Sequence, residues 1–165
     1  MNLQNRNKDP IESIATPPGV DVTALASSIT VVDDHQLKRL SPVALAYIGD
    51  AVYELFVRAK LLLPPKRIAD YHSQVVAQVR AETQAAHLRD LEPYLNLAEK
   101  EILRRGRNAV SNKPRRLSLK IYQQASSFET LIGYLYLKDS QRLQDLLTKL
   151  TLLKKFDGRC EIPEE

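Results

Sequence analysis

The chain has 165 residues, of which 44% are apolar, and a formal net charge of +4. This length suits one domain with a buried core, and no apolar run approaches the ~20 residues that a bilayer span needs. The single cysteine, Cys160, excludes an internal disulfide and a multi-cysteine zinc site. The polar N-terminus lacks an apolar signal-peptide core, so we expect a soluble, cytoplasmic protein without membrane contact.

The predicted organisation is one all-α domain with polar ends. Residues 1–36 are rich in Asn, Asp, Ser, Thr and Pro and predict a flexible arm, with a short helix at about 21–28. Residues 37–155 carry helical patterns, and no segment alternates with the period of a strand. Residues 156–165 form a predicted tail.

The first strong helix begins at Ser41-Pro42, a good N-cap followed by a proline suited to the first helical position. Its inward residues recur at helical spacing until Pro64-Pro65 ends it. These expected inward residues are Leu45, Ile48, Val52, Leu55, Phe56 and Ala59.

Five further helices are predicted along the rest of the chain. The second covers about 66–90, with Ile68, Val75 and Val76 among its inward residues, and the third covers about 96–105 and stops at Gly106. A loop at 107–116 leads to a fourth helix at about 115–124. A fifth begins at Ser126 or Ser127, and a sixth covers about 140–153.

Two acidic residues, Asp50 and Glu129, lie in otherwise apolar helical stretches, each with a glycine nearby. A mid-helix glycine costs roughly 1 kcal/mol relative to alanine, which a close approach of a neighbouring helix or a ligand would justify. Carboxylates near an apolar core need a partner, and Mg²⁺ accepts two of them with water completing its shell. Two ordinary roles compete: Glu129 as the last residue of a capping box from Ser126, and Asp50 as part of a solvated stripe with Glu54.

A basic segment separates these two helices. Between 104 and 120 there are seven Lys or Arg residues and no acid, so the rest of the chain is mildly acidic. Such a local positive field favours contact with a polyanion, and arginines bind phosphate in a bidentate manner. A loop that is basic only for solubility, with arginines that complement a helix dipole, is the competing interpretation. The candidate RNA-binding residues are Arg104, Arg105, Arg107, Asn108, Lys113 and Arg115.

Together these segments resemble the ribonuclease III family. The stretch 46–54, AYIGDAVYE, is similar to the signature helix of its catalytic domain, and 128–137, FETLIGYLYL, is similar to its second acidic helix. The sequence RRGRN at 104–108 and the short length point to the Mini-ribonuclease III subfamily, which lacks a double-stranded-RNA-binding domain. The resemblance covers about 40–153. It implies the helical bundle of the ribonuclease III endonuclease domain.

The resemblance also implies a function. The expected activity is Mg²⁺-dependent cleavage of double-stranded RNA by a homodimer, which leaves 5′-phosphate and 3′-hydroxyl ends with a short 3′ overhang. The expected substrate is the stem at the ends of the large-subunit (23S) ribosomal RNA precursor. Asp50 and Glu129 would hold the metal and serve as the catalytic residues, and apolar surface including Tyr47 would build the dimer.

The chain departs from the typical family pattern at two positions. Ala46 stands where a typical member has Glu, and Ser126 stands where it has Asp. The subfamily is similar in keeping this reduced set, so the number of bound metals stays open. A non-catalytic, ribosome-associated RNA-binding protein with the same fold is therefore the alternative, and a helical scaffold protein is a third interpretation.

Overall fold

The computed structural model describes residues 32–110 and 116–152. The helix predicted at 21–28 and the predicted tail lie outside these residues. Every regular element within them is helical, as the sequence predicts. The elements are α1 Asp34–Arg39, α2 Pro42–Leu61, α3 Ile68–Val79, α4 Ala81–Leu91, a 3₁₀ turn at Glu92–Tyr94, α5 Leu97–Asn108, α6 Leu119–Lys138 and α7 Ser140–Leu147.

Helix α6 is the centre of the bundle, packed against α2, α4, α5 and α7. Its residues Phe128, Leu131 and Ile132 have no exposed surface. The ring of Tyr53 on α2 meets Phe128 edge to face, with 4.9 Å between the ring centroids. This arrangement is one that aromatic pairs prefer, and it fixes α2 against the middle of α6.

The predicted bounds of α2 are confirmed. The Ser41 hydroxyl accepts a hydrogen bond of 3.1 Å from the Ala44 N–H, and Pro42 is the first helical residue. Leu45, Val52 and Phe56 are buried as predicted, whereas Leu55 is 43% exposed. The apolar face of α2 is therefore narrower than the periodicity predicts.

The predicted single helix over 66–90 is wrong, because the chain breaks at Arg80 into α3 and α4. Arg80 has extended backbone geometry, with ψ of 152°. No glycine or proline marks the break. The Thr83 hydroxyl stabilises it by donating to the Ala77 carbonyl at 2.7 Å and accepting from Arg80 Nε at 3.3 Å. Ile68 and Val76, predicted to point inward, are 83% and 47% exposed.

Two predicted helix ends inside the bundle are also wrong. Helix α5 continues through Gly106 to Asn108, so Arg107 and Asn108 are helical, while 111–115 lie outside the described residues. Helix α6 is continuous from Leu119, and its cap is Ser118, whose hydroxyl accepts from the Ile121 N–H at 3.2 Å. Polar residues in the middle of α6 led to the mistaken break.

The two ends of the described region are short helices. α1 begins within the segment assigned to the arm, buries Leu37 and pairs Asp34 with Lys138 at the end of α6. α7 ends at Leu147, earlier than predicted, and Leu150 beyond it is still buried. Within 32–110 and 116–152, no helix has both the length and the apolarity that crossing a membrane requires.

Candidate active site

Two glycines bring α2 and α6 into backbone contact. A Cβ on Gly49 would lie 1.9 Å from the Glu129 carbonyl oxygen, and a Cβ on Gly133 would lie 1.9 Å from the Leu45 carbonyl oxygen. No side chain fits in either place, because real Cβ atoms do not approach backbone oxygens so closely. The neighbouring helix, rather than a ligand, therefore explains both glycines.

This crossing sets Asp50 and Glu129 on one cleft of about 630 Å³. Asp50 follows Gly49 on α2, and Glu129 is the residue whose backbone Gly49 contacts. Since α6 is continuous through Ser126, the capping-box role of Glu129 is excluded. The cleft is lined by Pro42, Val43, Ala46, Tyr47, Ile48, Asp50, Ala51, Glu54, Gly106, Ala109, Val110, Tyr122, Ser126, Glu129 and Thr130.

The surroundings of the Glu129 carboxyl group disfavour its ionised form. Burial, and after it the negative charge of Asp50, raise the pKa of Glu129 from 4.5 to about 7, while the Gln84 side chain acts in the opposite direction. Without a cation, this carboxyl group therefore keeps its proton to a higher pH than an ordinary glutamate does. A bound cation would favour the ionised form, because it replaces the repulsion from Asp50 with attraction.

Asp50 is more accessible than Glu129. Burial is the main cause that raises the pKa of Asp50, and the neighbouring Glu54 raises it further. Glu54 is itself engaged, since Arg58 Nη2 lies 2.5 Å from Glu54 Oε1. The predicted stripe of Asp50 and Glu54 thus exists along α2, but Glu54 has a partner and Asp50 faces Glu129.

The positions of the two absent family carboxylates lie in the same cleft. Ala46 is one turn before Asp50 on α2, and Ser126 is one turn before Glu129 on α6. Both line the cleft, so a carboxylate at either position would share the space with Asp50 and Glu129. The cleft thus contains three carboxylates, those of Asp50, Glu54 and Glu129, with Ala46 and Ser126 beside them.

The side chains that line the cleft fit a hard divalent cation that takes only some of its ligands from the protein. Oxygen ligands from carboxylates are the ones that Mg²⁺ takes, and it retains several waters. Among the described residues, no three His, Cys, Asp or Glu side chains lie close enough together to hold a metal ion alone. Asp50 and Glu129 would hold such an ion, with the remaining ligands supplied by water and by substrate phosphate.

Those predicted RNA-binding residues that the structure describes lie in the last turns of α5, beside the cleft. Ala109 and Val110, which directly follow α5, line the cleft, and Arg107 and Asn108 just before them are exposed. Arg104 is paired with Glu101 at 2.6 Å, and Arg105 Nη2 donates to the Leu40 carbonyl at 3.4 Å. Lys113 and Arg115 lie outside the described residues.

Tyr47 belongs to an exposed apolar stripe along α2. Val43, Tyr47, Ala51 and Leu55 recur every four residues, and Tyr47 is 83% exposed. Successive members of this stripe lie only about 40° apart around the helix, so the stripe is continuous as it winds along α2. It borders the cleft, since Val43, Tyr47 and Ala51 also line it.

Sequence patterns did not point to Gln84 or Tyr122. Gln84 on α4 is buried and lies against Glu129, and Tyr122 on α6 lines the cleft one turn before Ser126. For Gln84 the only available signal was a polar residue on the apolar face of its helix, shared with His87 and Leu88. For Tyr122 the signal was its spacing of four from Ser126, hidden by the mistaken break in α6.

Comparison with known proteins identifies the family. Residues 43–140 match the family model described as the Ribonuclease III domain. A Mini-ribonuclease 3 of Synechocystis sp. is 55% identical over 126 residues, which cover 76% of this chain and 88% of that protein. The chain belongs to the Mini-ribonuclease III branch of the ribonuclease III family.

Other Mini-ribonuclease III relatives match over similar lengths. The Synechococcus protein is 58% identical over 113 residues, covering 68% of this chain and 82% of that protein. The Staphylococcus aureus protein is 38% identical over 122 residues, covering 71% of this chain and 91% of that protein. A crystal structure of a Fusobacterium nucleatum protein has a TM-score of 0.62 and 29% identity, covering 67% of this chain and 91% of that chain.

Membership of the Mini-ribonuclease III branch confirms three expectations from the sequence: the family, the all-helical fold and the enzyme class. The protein is an endoribonuclease whose substrate is double-stranded RNA. The alternatives of a non-catalytic RNA-binding protein and a scaffold protein are not supported by this assignment.

Proposed function

We propose that this endoribonuclease cleaves paired RNA with Mg²⁺ held between Asp50 and Glu129. The observation that carries the proposal is the single cleft in which these two carboxylates meet, close enough for the charge of Asp50 to raise the pKa of Glu129. When bound, a divalent ion activates water and stabilises the charge that develops on the phosphate. The protein groups supply the position of that ion and a face open to a large substrate.

The proposal assigns RNA binding to the basic end of α5 and the segment after it. Arg107 and Asn108 are exposed beside the cleft, where they can contact phosphates and 2′-hydroxyl groups of an A-form helix. Arg105 belongs to the same proposed surface, and Lys113 and Arg115 are proposed to bind RNA on the basis of the sequence. Arg104 contributes less, because Glu101 already offsets its charge at 2.6 Å.

The proposed active form is a homodimer joined through the apolar stripe of α2. Two weak RNA footprints held together bind a duplex far better than one, because the second contact becomes intramolecular. The proposed substrate is the stem at the ends of the 23S ribosomal RNA precursor, cut once in each strand. The products would have 5′-phosphate and 3′-hydroxyl ends with a short 3′ overhang.

The decisive experiment is cleavage of a labelled precursor stem by Asp50→Asn in the presence of Mg²⁺. We expect product formation to fall at least about a thousandfold, because the variant loses the charge that binds the metal and keeps the shape of the side chain. RNA binding, measured by gel shift, should persist. The matched control is Asp145→Asn, an exposed aspartate on α7, which should cleave like the wild type. Normal cleavage by Asp50→Asn would refute the assignment.

A further inference from the structure

Gln84 is a fully buried amide whose donor group has no conventional partner. The residue is 1% exposed, and its Nε2 makes no hydrogen bond of normal geometry. Leaving a buried donor unsatisfied costs about 1–3 kcal/mol. This cost needs an explanation, because Gln84 lies on the face of α4 that packs against α6, the helix of Glu129.

Gln84 lies on the face of α4 that packs against α6 near Glu129. His87, one turn further along the same face, packs on Phe128 with 6.3 Å between ring centroids. Phe128 immediately precedes Glu129. Gln84 and His87 thus approach α6 together, and the chain offers Glu129 a buried neighbour on the side away from the open cleft.

The Gln84 side chain lies against the Glu129 carboxyl group, in the buried contact between α4 and α6. Of the two polar groups of the amide, only the N–H can bind a carboxylate oxygen, because a carboxylate accepts hydrogen bonds. The other polar side chain of this turn, Thr83, is already engaged by the Ala77 carbonyl at 2.7 Å.

We propose that Gln84 is a positioning residue that holds the Glu129 carboxylate for metal binding. Its Nε2–H approaches one carboxylate oxygen from the buried side, with geometry looser than that of a normal hydrogen bond, and leaves the other oxygen for the metal. The hydrogen bond shortens and strengthens when a cation holds Glu129 in its ionised form. This inference rests on the proposed function, since it requires Glu129 to be a metal ligand.

The test measures binding of Mn²⁺ alone, without RNA, by calorimetry or by electron paramagnetic resonance. Gln84→Met keeps the volume and removes the donor, and outer-shell partners of this kind change metal affinity about 10–100-fold. We therefore expect Gln84→Met to bind Mn²⁺ at least about tenfold more weakly than the wild type. The control is Gln78→Met on α3, a glutamine buried to a similar degree at 2% exposure, which should bind like the wild type.

A second variant guards against misfolding. Gln84→Asn keeps the amide and retracts it by one methylene, so it should also weaken Mn²⁺ binding while far-ultraviolet circular dichroism remains that of the wild type. In cleavage assays, either variant should lower kcat and leave the KM for RNA nearly unchanged, since Gln84 lies on the buried side of the site. A purely structural role of Gln84 would not lower kcat while leaving the KM for RNA unchanged.

The outcomes separate this inference from the proposed function. If the wild type binds Mn²⁺ and Glu129→Gln does not, the metal assignment stands, and wild-type affinity in Gln84→Met overturns the role of Gln84 alone. Equal weakening in Gln84→Met and Gln78→Met also overturns it, because any buried glutamine would then serve. If Glu129→Gln binds Mn²⁺ as well as the wild type, both proposals fail.

Discussion

At position 129 a carboxyl group is held where burial and a second acid both oppose its charge. Asp50, more exposed, has a raised pKa for the same two kinds of reason, burial first and Glu54 second. Carboxyl groups that disfavour one another's ionisation in a cleft are frequent at functional sites. In the absence of a cation, this arrangement should make the folded state less stable as these groups lose their protons.

The sign of this effect follows from the pKa of Glu129, which is 4.5 ordinarily and about 7 in the folded protein. Between these values the folded chain binds a proton that the unfolded chain has released. The free energy of unfolding is therefore highest with respect to this group below pH 4.5 and falls as the pH rises towards 7. Asp50 contributes in the same direction.

We predict that Glu129→Gln removes this pH dependence in metal-free buffer. One pKa unit corresponds to about 1.4 kcal/mol, so the variant should be more stable than the wild type at pH 8 by on the order of 3 kcal/mol. At pH 4 the two should be similar. Urea unfolding at both pH values, with a chelator present, measures the difference.

The control for this experiment is Glu92→Gln, which changes an exposed glutamate away from the cleft. Its stability curve should run parallel to that of the wild type. Added Mg²⁺ should stabilise the wild type at pH 8 and leave Glu129→Gln nearly unaffected, because only the wild type keeps both carboxylates. Parallel curves for Glu129→Gln and the wild type would show that Glu129 is not strained in the folded state.

At the scale of helices, the predictions succeeded where a local signal coincided with tertiary packing. Ser41 and Pro42 start α2 as predicted, because capping and proline geometry act within one turn of the chain. They failed at Gly106, Ser126 and Arg80. α5 continues through Gly106 and α6 continues through Ser126, because tertiary packing keeps these helices intact at residues that often end helices. At Arg80 the Thr83 hydroxyl stabilises a break that no glycine or proline marks.

For the candidate site too, local sequence signals were informative and contacts that depend on tertiary packing were not predicted. Acids in apolar helices, together with the family resemblance, predict Asp50 and Glu129 as site residues, and both line one cleft. Gln84 is not predicted, because its contact with Glu129 depends on how α4 packs on α6, about which a single sequence contains little. Gly106 was misread for the same reason: a Cβ there would lie 2.7 Å from Thr130 Oγ1, so the residue serves the contact between α5 and α6.

The glycine contact between α2 and α6 gives a prediction at this scale. Gly49→Ala would place a methyl group 1.9 Å from the Glu129 carbonyl oxygen, and a backbone atom cannot rotate away. We expect a loss of at least about 3 kcal/mol in the free energy of unfolding, beyond the usual range for overpacking. Thermal or urea unfolding measures it.

Two comparisons make this prediction specific. Gly133→Ala should be destabilising to a similar degree, because its methyl group would meet the Leu45 carbonyl oxygen. Ala69→Ser, at an exposed position of α3, should change stability by less than about 0.5 kcal/mol. If Gly49→Ala is as stable as the wild type, the backbones of α2 and α6 are not in direct contact at Gly49.

For the whole molecule, the apolar stripe of α2 raises the question of assembly. Tyr47 is 83% exposed, Val43 is 64% exposed and Leu55 is 43% exposed, all in this stripe. A contiguous apolar patch on the surface of a soluble protein marks an interaction site. A second copy of the chain is the partner that the proposed function requires, with the stripe as the shared contact.

We predict that Tyr47→Asp converts a dimer into a monomer. A charge placed in an apolar contact must be desolvated without a partner, which should weaken dimerisation at least about a hundredfold. Sedimentation equilibrium or light scattering of the eluted protein measures the mass. Mass rather than cleavage is the readout, because Tyr47 also lines the cleft.

Leu55→Asp tests the same stripe without touching the cleft, and it should also shift the mass towards that of a monomer. The control is Leu97→Asp, which places the same charge on an apolar residue that is 87% exposed at the start of α5. It should leave the mass unchanged. A monomeric wild type, or a dimeric Leu55→Asp, would show that this stripe does not join two subunits.

The contact of Gly49 with the backbone of Glu129 also limits how this site can change during evolution. Because two helix backbones touch there, the distance across the cleft cannot be widened or narrowed by exchanging small side chains at the crossing. A genetic selection for RNA processing would therefore score Gly49 and Gly133 as essential, although neither has a side chain that could meet substrate. Under the proposed metal assignment, new metal preferences would arise from positions such as 46 and 126, which line the cleft on either side of this fixed crossing.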